Sequence, residues 1–228
     1  MVQERLIFRG QRFAPAQAKP TVGSVDPDRH PAQNHSHDRQ ALFMTPAVFT
    51  PATDLPTLDD VSLLWDRFGM LDHIRDHSRV VGHVALMLTT WLAQVGILLD
   101  PRAVEVGALL HDIAKTPCLG TTRRHDREGE NILRDLGYPE VAYLIGVHVR
   151  LPQPHPIDES FVVYYADKRV MHDRIVDLGQ RFSYIAERYG KGDAESLKRI
   201  EVARLRAFAA EQELFALLPS HRPEDIQA

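Results

Sequence analysis

Apolar residues recur at helical spacing along most of the chain, and the helices they predict begin with recognisable capping residues. Thr57 is followed by Asp59 and Asp60, and Asp100 is followed by Pro101. Thr and Asp side chains accept hydrogen bonds from the free amides of a first helical turn, and proline fits that turn. The pattern predicts helices over about 57–65, 72–94, 101–115, 125–136, 139–148, 158–176, 178–189 and 193–217.

No run of strictly alternating residues and no internal repeat interrupts this pattern, so an all-α fold is predicted. Residues 1–56 differ, because they hold seven of the 15 prolines and show no helical period. We predict a flexible or extended N-terminal arm over 1–56, a compact helical bundle over 57–217 and a C-terminal tail over 218–228. A polar arm, rather than a metal-binding tract, is the favoured interpretation of three histidines in this stretch: His30, His35 and His37.

Composition narrows the class of protein further. The 228 residues are 44% hydrophobic and 25% charged, with a net charge of −4, which favours a globular domain and makes a nucleic-acid partner unlikely on charge grounds. The single cysteine, Cys118, excludes an internal disulfide. The longest run without charged residues or histidine, 84–99, is shorter than the roughly 20 residues of a membrane span. A cytoplasmic protein without a membrane partner is expected.

Several histidines and aspartates occupy positions where helical periodicity places core residues. In the helix over 72–94, the stripe through Val84 and Val80 extends backward to His77 and then to His73. Later helices repeat the feature with His111, Asp112 and Lys115, then His125, then His148, then Asp167.

Five successive helices thus place an imidazole or carboxylate toward the core, which indicates a common centre. A buried carboxylate costs several kcal/mol or more unless it is neutralised, paired or bound to a metal. Three other interpretations remain open for single residues. Asp112 can pair with Lys115 at i+3, and Asp167 with a basic residue of a neighbouring helix. A lone histidine on an apolar face is usually a hydrogen-bonded core residue.

The ordered set His77, His111-Asp112 and Asp167 resembles the H…HD…D residues of the HD superfamily of metal-dependent phosphohydrolases. Ser78 after His77 favours that histidine over His73 and His83 as first ligand. Four segments carry the resemblance: DHSRVVGHVALML, similar to the first-ligand helix; ALLHDIAK, similar to the HDIG form LLHDIGK; HDREGENILRDLG, similar to a His-x-x-x-Gly-x-x-x-Leu helix; and YYADKRV, similar to the YADK segment around the last aspartate.

The resemblance covers about residues 57–190 and is closest to small stand-alone HDIG-type hydrolases. Two departures are visible. Ala114 stands where the motif usually has glycine, and a single histidine, His148, stands where some dinuclear relatives have an adjacent pair. The family fold implied is a compact helical bundle.

The resemblance also implies a metal site. His77, His111, Asp112 and Asp167 would hold a divalent ion, and a nitrogen and oxygen ligand set suits Mn, Fe, Co, Ni or Zn better than Mg. His125 and His148 match the extra ligands of dinuclear relatives, in which the aspartate equivalent to Asp112 bridges two metals. One ion or a dinuclear pair are both compatible with the sequence.

The reaction implied is attack of a metal-activated water on a phosphate ester, with a nucleotide or small phosphorylated metabolite as substrate. Asp112 and Lys115 are the predicted catalytic residues, and Lys115 is alternatively a solvated helix-end lysine. Arg123, Arg124 and Arg150 are predicted to flank the pocket mouth. Two alternative functions are a di-iron oxygenase and a non-catalytic nucleotide-binding module. RNA processing rests on analogy alone, and the acidic net charge of the chain disfavours it. The oligomeric state is not predicted.

Overall fold

The structure, a computed structural model, describes residues 55–190 and 192–227. The regular structure of this part of the chain is helical except for one two-stranded hairpin, so the predicted all-α class is confirmed. The arm predicted over 1–56 lies outside the described residues except for its last two positions. Within the described residues, no helix is both long and apolar enough to cross a membrane.

The elements follow one another in a simple order. They are α1 (Leu58–Arg67), α2 (Asp72–Gln94), α3 (Pro101–Leu110), α4 (Lys115–Cys118), α5 (His125–Asp135), α6 (Pro139–Val147), α7 (Glu159–Lys168), β1 (Val170–Met171), β2 (Arg174–Ile175), α8 (Leu178–Ile185) and α9 (Ala194–Ala216). A π-helical turn (Ala186–Gly190) follows α8, and a 3-10 turn (Pro223–Asp225) follows α9.

The predicted helix starts are formed by the capping residues themselves. The Thr57 hydroxyl accepts a hydrogen bond from the amide of Asp60, whose carboxylate accepts one from the Thr57 amide at 2.9 Å. Asp100 accepts from the amide of Arg102 at 2.8 Å, with proline at the first helical position. These bonds satisfy amides that have no partner inside the helix.

Two predicted helix ends are wrong. The third helix ends at Leu110 rather than Lys115, because residues 111–114 form a turn in which all four side chains are buried. If residues 111–114 continued the helix, some of their four side chains would face solvent. Their burial therefore shows that tertiary packing overrides the local helical pattern here. The helix predicted over 158–176 ends at Lys168, and the antiparallel hairpin β1–β2 replaces its last turns.

The core consists of two clusters that meet at α3. The first packs α2, α3 and α7 together with α9, and includes Val84, Leu88, Val104, Phe161 and Leu214. The second packs α1, α3, α5 and α6, and includes Leu64, Leu110, Leu133, Val141 and Ile145. On α2 the buried stripe is displaced from the predicted one, since Val80, Met87 and Trp91 are only half-buried and His73 is exposed.

Residues 218–227, within the segment predicted as a C-terminal tail, pack on the first cluster. Leu218 and Ile226 are buried, and the ring of His221 stacks on Trp91 with centroids 4.1 Å apart. The Arg169 guanidinium, directly after α7, donates to a carbonyl of this segment at 2.9 Å. The end of α7, where Asp167 lies, is therefore held from the C-terminal side as well.

Candidate metal centre

All six predicted metal ligands come together at the junction of the two core clusters. They form two groups of three, and within each group the possible ligand atoms all lie within 4.8 Å of one another. The first triad comprises His77, His111 and Asp167, and the second triad comprises Asp112, His125 and His148. Five of these six residues are buried, and His125 is half-buried.

The first triad is drawn from α2, the turn after α3, and the last turn of α7. The His77 Nε2 lies 3.1 Å from Asp167 Oδ1, and the His111 Nε2 lies 3.7 Å from the same oxygen. The two rings are tilted, with centroids 5.3 Å apart. Two imidazole nitrogens and one carboxylate oxygen therefore face a common point.

The second triad is drawn from the same turn, the first residue of α5 and the residue that ends α6. Asp112 Oδ1 lies 3.4 Å from His125 Nε2 and 3.8 Å from His148 Nε2. Its other oxygen, Oδ2, lies 3.4 Å from His111 Nε2 in the first triad. Asp112 thus presents one oxygen to each triad, as expected of a carboxylate between two cations.

Backbone carbonyls fix the orientation of the buried rings. The Nδ1–H of His77 donates to the carbonyl of His172 at 2.8 Å, and His111 and His148 each donate to the carbonyl three residues earlier at 2.6 Å. In each ring the Nε2 lone pair then faces the triads, and the His111 Nε2 is buried without a hydrogen-bond partner among the residues that the structure describes. Metal-binding histidines are oriented in this way, so the donor set fits a metal.

The charge states of His148, Asp112 and Asp167 also fit metal ligands, whereas at His111 burial lowers the pKa and the Asp112 and Asp167 carboxylates raise it above its usual value. Burial lowers the pKa of His148 to about 3, which keeps this imidazole neutral. Burial alone would raise the pKa of Asp112, but Lys115 and His111 lower it well below its usual range. The pKa of Asp167 is lowered in the same way by Lys168, His77 and other neighbours. Neutral imidazoles and ionised carboxylates are the forms that bind cations.

Three cations surround the two carboxylates. The Lys115 Nζ lies 2.6 Å from Asp112 Oδ2 with its side chain 38% exposed, so the i+3 pair is formed at the site itself. The Lys168 Nζ lies 2.5 Å from Asp167 Oδ2, and the Arg181 Nη2 lies 3.7 Å from Asp167 Oδ1. Sequence reasoning missed Lys168 and Arg181. Lys168 directly follows a predicted ligand, which was a usable signal, whereas Arg181 lies on a helix without any recognised motif.

Two of the three predicted arginines are engaged in other contacts, and the third is exposed to solvent. Arg123 binds the Glu128 carboxylate at 2.9 Å and a carbonyl at 2.7 Å. Arg124 forms an ion pair with the buried carboxylate of Asp126. Arg150 is exposed just after α6. Their role in substrate binding stays a prediction.

Residues 74–171 match the family model described as HD domain, and this range contains both triads. The chain therefore carries an HD domain, the domain of the HD superfamily of metal-dependent phosphohydrolases. The superfamily resemblance drawn from the sequence is confirmed, and the HDIG subtype stays a prediction.

The chain is also similar to an uncharacterized protein of Methanocaldococcus jannaschii. The two are 27% identical over 146 residues, which cover 57% of this chain and 84% of the relative. No solved structure shows significant similarity to the chain. Neither comparison names a substrate.

Proposed function

We propose that the protein is a metal-dependent phosphoric ester hydrolase acting on a nucleotide or a small phosphorylated metabolite. The observation that carries the proposal is the pair of triads around Asp112 within an HD domain. Imidazole and carboxylate ligands without thiolate suit Mn, Fe, Co, Ni or Zn, and suit Mg less well. The orphaned Nε2 of His111 supports a cation at the first triad.

The position of Asp112 supports two ions rather than one. Each of its carboxylate oxygens lies 3.4 Å from an imidazole nitrogen of a different triad, His111 on one side and His125 on the other. When bound, such ions supply a water of lowered pKa and positive charge beside the phosphoryl oxygens.

The chain's own residues supply orientation and charge in this hydrolysis. Water oxygen forms a bond to phosphorus as the bond from phosphorus to the ester oxygen breaks, and a proton passes to the departing oxygen. The Lys115 ammonium, held by Asp112 and partly exposed, is placed to donate a hydrogen bond to a phosphate oxygen or to the leaving group. Such contacts are stronger in a partly buried site than in water, because the effective dielectric constant is lower there.

Metal analysis combined with a hydrolysis screen tests the proposal. Wild-type protein, Asp112→Ala and the matched control His83→Ala, an exposed histidine on α2, would be assayed on nucleotides, phosphomonoesters and phosphodiesters. We expect wild type and the control to bind metal and hydrolyse at least one ester, and Asp112→Ala to lose both properties. Turnover that survives Asp112→Ala would show that the proposed chemistry is wrong.

The same screen separates the other functions compatible with six nitrogen and oxygen ligands. An iron-loaded protein that consumes dioxygen and hydrolyses no ester would identify an oxygenase. Metal and nucleotide binding without turnover of any kind would identify a binding module. Both outcomes contradict hydrolysis while leaving the metal centre in place.

A further inference from the structure

Arg181 is a half-buried cation at the metal centre whose side chain makes no hydrogen bond within the part of the chain that the structure describes. It lies on α8 with a side chain 14% exposed. Its Nη2 is 3.7 Å from Asp167 Oδ1, which is beyond hydrogen-bond length, and its Nε is buried without a partner among the described residues. Buried donors normally have acceptors, so a guanidinium beside the site without a hydrogen bond among the described residues indicates an absent partner.

The other two cations at the site differ from Arg181 in this respect. The Lys168 ammonium donates to Asp167 and to the carbonyl of His148 at 3.0 Å, and it lies 4.9 Å from the centre of the Tyr164 ring. The Lys115 ammonium is held by Asp112 at 2.6 Å. Lys168 is therefore fully engaged, whereas Lys115 and Arg181 keep donors available to a ligand, Arg181 on the Asp167 side of the centre.

The charge at this place favours an anion as the missing partner. Three cationic side chains surround two carboxylates, so the positive charges outnumber the negative ones before any metal binds. Bound divalent ions would increase the excess. A guanidinium presents several N–H donors in a planar fork that matches the oxygens of a phosphate group.

We propose that Arg181, which lies beside Asp167, binds the phosphate group of the substrate. This inference rests on the proposed function and adds a substrate-binding residue to it. Arg181 lies beyond residues 74–171, the part of the chain that matches the HD domain. The specificity for a phosphate group then depends on α8 as well as on the metal ligands.

Binding of inorganic phosphate to the metal-loaded protein, measured by titration calorimetry, tests the assignment. We expect Arg181→Gln to raise the Kd of phosphate about 10- to 100-fold, with metal content unchanged, because a charge-assisted contact is lost. Arg181→Lys keeps the charge without the fork and should weaken binding less. Arg174→Gln, at an exposed arginine of the neighbouring hairpin, is the control and should bind phosphate like wild type.

Two results would overturn the assignment. One is wild-type phosphate affinity in Arg181→Gln. The other is loss of metal together with phosphate affinity, which would make Arg181 a positioning group for Asp167. If Arg181→Gln does not fold, the phosphate affinity of Arg181→Lys is measured instead. An affinity equal to that of wild type would then contradict the assignment. A wild-type protein that hydrolyses no ester yet shows Arg181-dependent phosphate binding would refute the hydrolase proposal and support the subsite.

Discussion

The ring of His77 donates its Nδ1–H to the main-chain carbonyl of His172 at 2.8 Å, across 95 positions of sequence. His172 lies in the turn of the β1–β2 hairpin with a φ of 57°, in the left-handed region. That conformation costs a non-glycine residue on the order of 1 kcal/mol. The hairpin therefore orients a proposed metal ligand through a strained residue.

Two substitutions at His172 separate the backbone from the side chain. Both remove the ring that packs edge-on against Tyr184. Glycine adopts a positive φ without strain, so His172→Gly should keep the carbonyl in place and bind metal with an affinity close to that of wild type. His172→Val disfavours this φ and should weaken metal binding by about 10-fold or more, since partners that orient ligands matter to that degree. Metal titration of both variants decides, and equal affinities would contradict the prediction.

Metal binding should stabilise the folded protein, because the triads exist only when their helices are docked. At an ion concentration about 100 times the Kd, one site contributes about 2.7 kcal/mol, or about 5–10 °C in Tm for a domain of this size. His77→Ala should lose a large part of this shift, whereas His73→Ala, exposed one turn earlier on α2, should retain it. Melting curves with and without chelator measure the effect, and identical shifts in both variants would contradict the assignment of His77.

Two helical glycines should respond oppositely to alanine. A Cβ at Gly129 would lie 2.8 Å from Cγ2 of Ile145 on α6, and a β-branched side chain cannot easily move away. Gly129→Ala should therefore lower the free energy of unfolding by about 1–3 kcal/mol. A Cβ at Gly82 would meet its nearest atom at 3.7 Å, so Gly82→Ala should gain about 0.5–1 kcal/mol from helix propensity. Denaturant unfolding of both variants measures the two changes in the free energy of unfolding. A stabilised Gly129→Ala would show that α5 and α6 pack less closely than the structure indicates.

Tyr164 should contribute to loss of stability at alkaline pH. Burial raises its pKa to about 12, above the unfolded value of about 10. A raised pKa means that the stability is complete below pH 10 and is lost as the pH rises toward 12. Between pH 9 and 11, wild type should lose about 1.4 kcal/mol more than Tyr164→Phe.

The measurement is the free energy of unfolding of chelator-treated protein across this pH range. Tyr143→Phe is the control, because Tyr143 is 46% exposed, and it should follow wild type. Parallel curves for wild type and Tyr164→Phe would contradict the prediction.

The sequence predicted the starts of helices better than their ends. Capping residues act through contacts within a few positions, so Thr57 and Asp100 were sufficient, and the bounds of α2 agree with the prediction. The turn over 111–114 and the hairpin after Lys168 depend on packing between distant helices. The local hydrophobic periodicity of the sequence does not predict that packing.

The convergence of the six ligands was predicted from their order and from the faces they occupy, and the structure places them together. Lys168 and Arg181 were not predicted, although the position of Lys168 directly after Asp167 was a usable signal. Arg181 depends on how the hairpin returns the chain toward Asp167, and no feature of α8 itself marks that position.

Asp112 and its partners are contributed by segments from α2 to α7, and His77 and Asp167, whose ligand atoms lie 3.1 Å apart, are 90 positions apart in the chain. No short fragment of the protein can therefore reproduce the centre. Tight uptake of an ion during refolding would report the moment when the last of these helices docks, which makes the cation a kinetic probe of assembly.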